Sequence, residues 1–398
     1  MDRILIFTGK GGVGKTSIAA AHAVKSAREG KRTLLFSADM AHNLSDLFGK
    51  RIGREETRIA PELYALEADP EYMMEHEYQD MVRAVENLLG SEGLGMNGGK
   101  ELFSITGLPG MGELFSLLKI LDLYETGAYD RLIIDCAPTG ETLALLKFPE
   151  LLCWYMEKFF PIGKAAMRVL SPLSRVFLKI ELPDRDAMTD IERLYMRLVK
   201  LQNLLKNDAV TTVRIVAIPE KMVVEETRRN YMYLNLYGYY VDGVYFNRVL
   251  PDAVDNRFFA GWQEQQRKYL AELEDVFREV PAVRIPWYEA EPCGMEALEG
   301  ICGEALEGRP VFEVQKHRGG ETYEKNEYGY VLKLFVPCAS REDLELYQSG
   351  GNLILKAGNF KRNMALPDTL RNCEITGAKQ EGDVLLIRFG TGNSEKIN

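Results

Sequence analysis

Four apolar residues, Ile4-Leu5-Ile6-Phe7, run almost directly into Gly9-Lys10-Gly11-Gly12-Val13-Gly14-Lys15-Thr16, and an alanine-rich stretch over 16–29 follows. A buried strand, a glycine turn and a helix in that order build a phosphate cradle. The glycines let backbone N–H groups converge on phosphate oxygens, and the helix N-terminus adds the positive end of its dipole. Lys15 is placed to reach the β- and γ-phosphates, and the Thr16 hydroxyl to ligate magnesium, so ATP and magnesium are the expected ligands. The candidate nucleotide-binding residues are Gly9, Lys10, Gly11, Gly12, Val13, Gly14, Lys15, Thr16 and Ser17. Lys10 is a second lysine inside the loop, beyond what an ordinary cradle of this kind uses.

The next apolar run, Leu34-Leu35-Phe36-Ser37, completes a strand–helix–strand unit, and parallel strands require such a crossover. Runs at 132–134, 214–218 and 243–246 repeat the pattern of short, continuous, buried strands. The predicted fold is α/β, a doubly wound and mostly parallel sheet. Asp135 ends the third of these strands, where a carboxylate holds magnesium through a water. Pro138, Thr139 and Gly140 suit a loop that senses the γ-phosphate. Asp39 follows the second strand, at the same end of the sheet, where a carboxylate can orient an attacking water. As a bare residue Asp39 reads equally well as a helix cap. His42, three residues on, is expected to be a structural member of a switch segment.

Together these segments resemble the ArsA-type ATPases, the family of the arsenite-pump ATPase and of the ATPase that delivers tail-anchored membrane proteins. The residues that carry the likeness are the stretch 9–16, the stretch 37–47 and Asp135-Cys136-Ala137-Pro138-Thr139-Gly140-Glu141-Thr142-Leu143. Pro109-Gly110-Met111-Gly112-Glu113, Ile218-Pro219-Glu220 and Val241-Asp242-Gly243-Val244-Tyr245-Phe246-Asn247-Arg248 extend it over roughly residues 1–305. The resemblance implies a homodimer with a deviant Walker A loop, in which Lys10 crosses to the partner's phosphates. It implies that Asp39 activates water, that Asp135 is the Walker B acid, and that Asn247, after a strand, contacts adenine. Met40, Asn43, Glu141 and Ala144 depart from the family's usual proline, serine, histidine and arginine. These departures fall in the switch segments and leave the cradle intact.

Beyond the sheet, residues 70–120 and 151–205 read as helical insertions. The first carries glycines at 90, 93, 95, 98 and 99, which predict a mobile loop. The second is rich in large apolar groups. Trp154, Met156, Phe159, Phe160 and Met167 are candidates for a groove that shields apolar helices, or else for an ordinary helical core. Eleven of the 15 methionines fall between Met73 and Met232, and methionine suits adaptable client surfaces.

The polar run 315–326 predicts a linker within 311–326, so that an ATPase domain over 1–310 is joined to a β domain over 327–391. Short strands at 330–336, 352–356 and 384–389 alternate with turn signals at 349–351 and 381–383. This region resembles the α-crystallin domain of small heat-shock proteins, which implies a small all-β sandwich. Its tail lacks an Ile-x-Ile plug.

A net charge of −10 argues against a broad nucleic-acid surface. The N-terminus lacks the apolar core of a signal peptide, no run reaches the roughly 18 apolar residues of a membrane span, and the six scattered cysteines lack zinc spacing. A cytoplasmic protein is expected, with no nucleic-acid partner and no identifiable membrane receptor. Three activities remain open: nucleotide-coupled capture or targeting of apolar helical membrane-protein clients, a metalloid-stimulated pump ATPase, and a holdase acting through the β domain.

Overall fold

The computed structural model describes residues 1–39, 43–90, 111–159, 190–254, 256–314, 321–326, 329–349, 351–358, 360–367, 369–371 and 373–390. Eight strands make the large sheet: β1 (Arg3–Thr8), β2 (Thr33–Ser37), β3 (Thr57–Ala60), β4 (Leu63–Glu67), β5 (Arg131–Asp135), β6 (Thr211–Ala217), β7 (Val241–Val249) and β8 (Ala282–Pro286). Their order is β3-β4-β2-β5-β1-β6-β7-β8. The pairs β1 with β5, β1 with β6, β2 with β4, β2 with β5 and β7 with β8 are parallel, and β3 is antiparallel to its neighbour β4. Every residue of β1, β2 and β6 is buried, as continuous apolar runs in a sheet covered on both faces require.

The chain divides into two compact units. One comprises Met1–Val216 and Tyr288–Glu313, the other Ala217–Trp287 and Val314–Asn398. In the first unit, α1 (Lys15–Arg28) returns along the sheet and buries Ile18, Ala19, Ala20, His22 and Val24. After β2 comes the short α2 (Asn43–Phe48), and then α3 (Gln79–Gly90) and α4 (Met111–Thr126); α5 (Thr139–Phe159) begins before the stretch 151–205, α6 (Asp190–Lys206) closes it, and residues 160–189 lie outside the described residues. Among the methionines of this unit, Met73, Met74, Met81 and Met196 are buried and pack the interior, so they do not form an exposed client surface. The glycine cluster at 90–99 falls largely outside the described residues.

A final helix, α9 (Gly294–Ile301), leads to Val311 and Phe312, which are buried although they open the stretch expected to be linker. The Arg214 guanidinium donates to the Val311 carbonyl at 2.7 Å, and the Arg131 guanidinium stacks 3.8 Å from the centre of the Phe312 ring. This contact pins the segment before the polar run.

In the second unit, α7 (Lys221–Leu236) and α8 (Arg257–Val276) accompany seven short strands: β9 (Glu321–Asn326), β10 (Gly329–Phe335), β11 (Leu344–Ser349), β12 (Asn352–Ala357), β13 (Phe360–Ala365), β14 (Glu374–Glu381) and β15 (Val384–Gly390). They form a four-stranded sheet, β14-β15-β10-β9, and a three-stranded one, β11-β12-β13. The polar run expected as linker ends in a strand. All six residues of β9 are exposed and pair antiparallel with β10, so backbone pairing rather than side-chain burial makes it a strand. The β strands also pack on α7: Tyr233 lies 3.7 Å from Phe360 between ring centres, and the Tyr237 hydroxyl donates to the Lys361 carbonyl at 3.2 Å.

Candidate functional site

Strand register brings the candidate residues to one edge. Phe7 pairs with Asp135, and so does Ser37, so the ends of β1, β2 and β5 stand level. The glycine turn leaves β1 there, the Asp39 segment leaves β2, and the Cys136-Ala137-Pro138 loop leaves β5. Backbone bonds tie the three exits together: Cys136 N donates to the Phe7 carbonyl at 3.2 Å, and Ala38 N to the Asp135 carbonyl at 2.8 Å.

The turn tolerates only glycine where it is tightest. A Cβ at Gly9 would sit 2.2 Å from the Val216 carbonyl oxygen. Gly14, with φ of 90°, caps α1 in the left-handed region, where a side chain costs about 1 kcal/mol or more. No side chain caps the N-terminus of α1, and its first turn holds no acidic residue. Those amides and the dipole end are therefore left for an anion. Lys15 is nearly buried and its ammonium reaches back to the Lys10 carbonyl at 3.5 Å. Lys10 itself is half-buried, Thr16 and Ser17 likewise, and Val13 is fully buried beneath the turn.

Asp135 is completely buried, and neither carboxylate oxygen has a hydrogen-bond partner of full geometry. Burial raises its carboxyl to about 7, against the nearby Thr16 hydroxyl and Lys15 ammonium, while the Asp39 charge adds to the rise. An orphaned, buried carboxylate costs several kcal/mol unless a cation or proton meets it, so this group fits a metal-bearing ligand. Asp39 is half-buried, and its N–H donates to the Ser37 hydroxyl at 3.3 Å.

The expected γ-phosphate loop is shorter than its motif. Only Cys136, Ala137 and Pro138 are loop, because Thr139 and Gly140 already belong to the first turn of α5. Thr142 closes that turn by donating its hydroxyl to the Ala137 carbonyl at 2.6 Å, a role with no mark in the sequence beyond a threonine near a helix start. Pro138 abuts the glycine turn, since a Cβ on Gly11 would lie 3.8 Å from its ring.

Residues 2–306 match the family model described as anion-transporting ATPase. The chain belongs to that family. Residues 327–389 of this ATPase match a second model, the HSP20-like domain found in ArsA. A "Putative arsenical pump-driving ATPase" of Prosthecochloris vibrioformis is 36 % identical over 382 residues, covering 94 % of this chain and 92 % of the relative. One from Aquifex aeolicus is 34 % identical over 397 residues, 97 % of this chain and 99 % of its own. The ATPase GET3 of Podospora anserina is 31 % identical over 307 residues, 75 % of this chain and 88 % of its own.

Other expected residues of this family member fall elsewhere. Asn247 was expected after a strand but lies within β7, just before Arg248, whose φ of 54° marks a shift of register against β8. A left-handed residue there bends the strand without ending it. His42 lies outside the described residues, as do Phe160 and Met167. Trp154, Met156 and Phe159 fall on α5, with their side chains outside the described part. Among the described residues no group of three or more His, Cys, Asp or Glu side chains gathers as a metal site, and no helix is long and apolar enough to cross a membrane. Burial pushes the Cys136 thiol up to about 12, helped by the Asp135 charge, and raises Cys302 and Cys338 to about 11.

Proposed function

We propose that this chain is a cytoplasmic, homodimeric, magnesium-dependent ATPase that couples its nucleotide state to binding or targeting of apolar helical clients. The observation that carries the nucleotide part is the uncapped N-terminus of α1, under a turn that only glycine fits, beside the fully buried Asp135, whose oxygens have no hydrogen bond of full geometry. In this reading residues 9–17 bind the phosphates, Lys15 neutralises their charge, and Asn247 contacts adenine. Thr16 and, through a water, Asp135 would hold magnesium, which supplies charge neutralisation at the phosphate oxygens when bound. Asp39 orients the attacking water and accepts its proton as the water oxygen bonds to the γ-phosphorus and the bond to the β–γ bridging oxygen breaks, releasing ADP. Lys10 acts across the dimer. His42, Pro138, Thr139 and Gly140 take part in switching, and Trp154, Met156, Phe159, Phe160 and Met167 in the client groove. The same reading divides the chain into an ATPase domain over 1–310, a connection over 311–326 and a β domain over 327–391.

Lys15→Ala is expected to abolish tight ATP binding, whereas Asp39→Asn keeps binding and loses at least about a hundredfold in turnover, the usual contribution of a positioned acid or base. Equilibrium binding of a labelled nucleotide together with phosphate release checks both. Equal loss of affinity in the two variants refutes the division of roles.

A second reading, a metalloid-stimulated pump ATPase, is favoured by the names of the relatives that match along nearly the whole chain. Against it stand the raised thiols of Cys136, Cys302 and Cys338, since a metalloid is captured by a cluster of thiolates and the exposed Cys293 offers a single thiol. Arsenite that leaves the ATPase rate unchanged excludes this reading. A holdase acting through the β domain is separated from both by capture of unfolded proteins after Lys15→Ala has silenced the ATPase.

A further inference from the structure

Helix α2, the next described element after Asp39, is held at its start by a residue from another strand. Helix α2 opens four residues after Asp39, and the first amides of any helix lack partners within it. Here the acceptor is Glu67. Its Oε1 receives Leu44 N at 2.9 Å and Ser45 N at 3.2 Å. Glu67 is the last residue of β4, is 2 % exposed, and stands beside Ser37 in the register of β2 with β4.

The Ser45 hydroxyl extends the clamp. It lies 3.4 Å from the Glu67 Oε2 and 3.0 Å from the Ile52 carbonyl, and it accepts Ile52 N at 3.0 Å. Glu67 N in turn donates to the Gly53 carbonyl at 2.9 Å, and Ala68 N to the Ser37 carbonyl at 2.9 Å. Asp39 N is held by the Ser37 hydroxyl. Asp39 and the start of α2 are thus bonded to one strand-end cluster built by Ser37 and Glu67.

A Ser, Thr, Asp or Asn at position 42, just before α2, where the sequence has His42, would satisfy such amides and travel with the helix. A carboxylate from β4 satisfies them only while the helix stays against the sheet. Burying that carboxylate is costly unless its bonds are made, so the helix and the strand end hold each other in place.

We infer that Glu67 is a positioning residue for ATP hydrolysis: by tying α2 to the end of β4, beside the Ser37 whose hydroxyl takes the Asp39 N–H, it steadies the strand end from which Asp39 leaves, without touching the nucleotide. The inference rests on the reading of Asp39 as the residue that orients water. It differs from a stability role in what it predicts for kinetics. Loss of the clamp should misplace a group that acts on water in the transition state, which lowers kcat, and should leave the phosphate cradle able to bind.

The test compares the full chain with Glu67→Leu, Glu67→Gln, Ser45→Ala and Asp39→Asn by ATP turnover, KM, nucleotide affinity and Tm. Glu67→Leu is expected to lose about tenfold or more in kcat with KM and affinity within about twofold. Glu67→Gln keeps an acceptor oxygen for Leu44 and Ser45 and should recover most of that loss. Ser45→Ala removes one arm of the clamp and should lower kcat about threefold, which serves as the readout if Glu67→Leu does not fold. A folded Glu67→Leu with parental kcat, a parallel fall in kcat and affinity, or a Glu67→Gln as slow as Glu67→Leu overturns the inference, as does a parental kcat in Ser45→Ala where Glu67→Leu does not fold. Parental turnover in Asp39→Asn removes the underlying reading instead. An inactive Asp39→Asn beside an unaffected Glu67→Leu removes only the role of Glu67.

Discussion

Two buried titratable side chains in the first unit pull the pH dependence of stability in opposite directions. The folded pKa of Asp135 is raised from 3.8 to about 7 by burial, so the folded apo protein binds more protons than the unfolded chain between those values. Stability therefore falls as pH rises through that window, by on the order of 4 kcal/mol in total. Asp135→Asn should gain on the parent protein in Tm on going from pH 5 to pH 8 without nucleotide. A constant difference across that range would show that Asp135 is not an unpaired buried acid. His22 behaves in reverse. It is wholly buried between Phe7 and Phe312, its Nδ1–H donates to the Ile18 carbonyl at 2.7 Å, and burial and the Arg214 charge lower its pKa to about 3. The unfolded chain binds the extra proton between about 6.5 and 3, so stability is lost as pH falls through that window. His22→Met should flatten the acid limb of a Tm against pH curve, and an unchanged limb counts against the burial argument.

At the scale of elements, α7 meets the β strands of the second unit through a row of tyrosines. Tyr231 faces Phe335 edge-on at 6.4 Å, Tyr233 lies tilted against Phe360, and Tyr237 bonds the backbone of β13. The last contact is on an edge strand, whose free carbonyls otherwise invite pairing with another chain. Just beyond α8, Arg278 adds a pair with Asp383 at 3.6 Å, both groups largely exposed and worth little on that account. The aromatic contacts should dominate. Tyr233→Ala removes a large buried side chain and is expected to cost about 3 kcal/mol, released mainly as opening of the β strands from α7. Limited proteolysis read by mass spectrometry should then cut faster within the β strands over 329–390, while ATP turnover persists. Parental cleavage kinetics would mean that the tyrosines do not hold the β strands.

For the whole molecule, the proposed dimer makes one exacting prediction. If Lys10 serves the partner's phosphates, a subunit carrying Lys10→Ala and one carrying Asp39→Asn should complement each other at one of the two sites of a mixed dimer. Turnover in the mixture should exceed that of either variant alone. No recovery, in preparations where labelled subunits demonstrably exchange, refutes action across the dimer. The client reading adds a length argument. An apolar helix of about 20 residues is roughly 30 Å long, as long as the 21-residue α5, so a groove that shields it must run the length of such a helix. Capture of such a peptide by Asp39→Asn should rise with ATP and fall when Phe159 and Phe160 are both replaced by serine. Indifference to both changes leaves that stretch as ordinary core.

What the sequence determined by itself is what short-range chemistry writes into it. Gly9 and Gly14 mark backbone paths closed to other residues, the apolar runs mark strands buried on both faces, and Asp135 ends one of those runs; each signal is complete within a few residues. The bounds around Asn247 and in the motif at 136–140 differ from those the sequence suggests, because a register shift at Arg248 and the bond from Thr142 to Ala137 are set by neighbours. Only the tertiary structure decided that the polar segment 321–326 is a strand, since β10 supplies the pairing that no periodicity announces. It also decided that Val311 and Phe312 are packed against Arg214 and Arg131, and that Glu67 caps a helix that begins 24 residues before it. Such contacts join residues far apart in the chain, and their energy depends on burial that exists only after the sheet has formed.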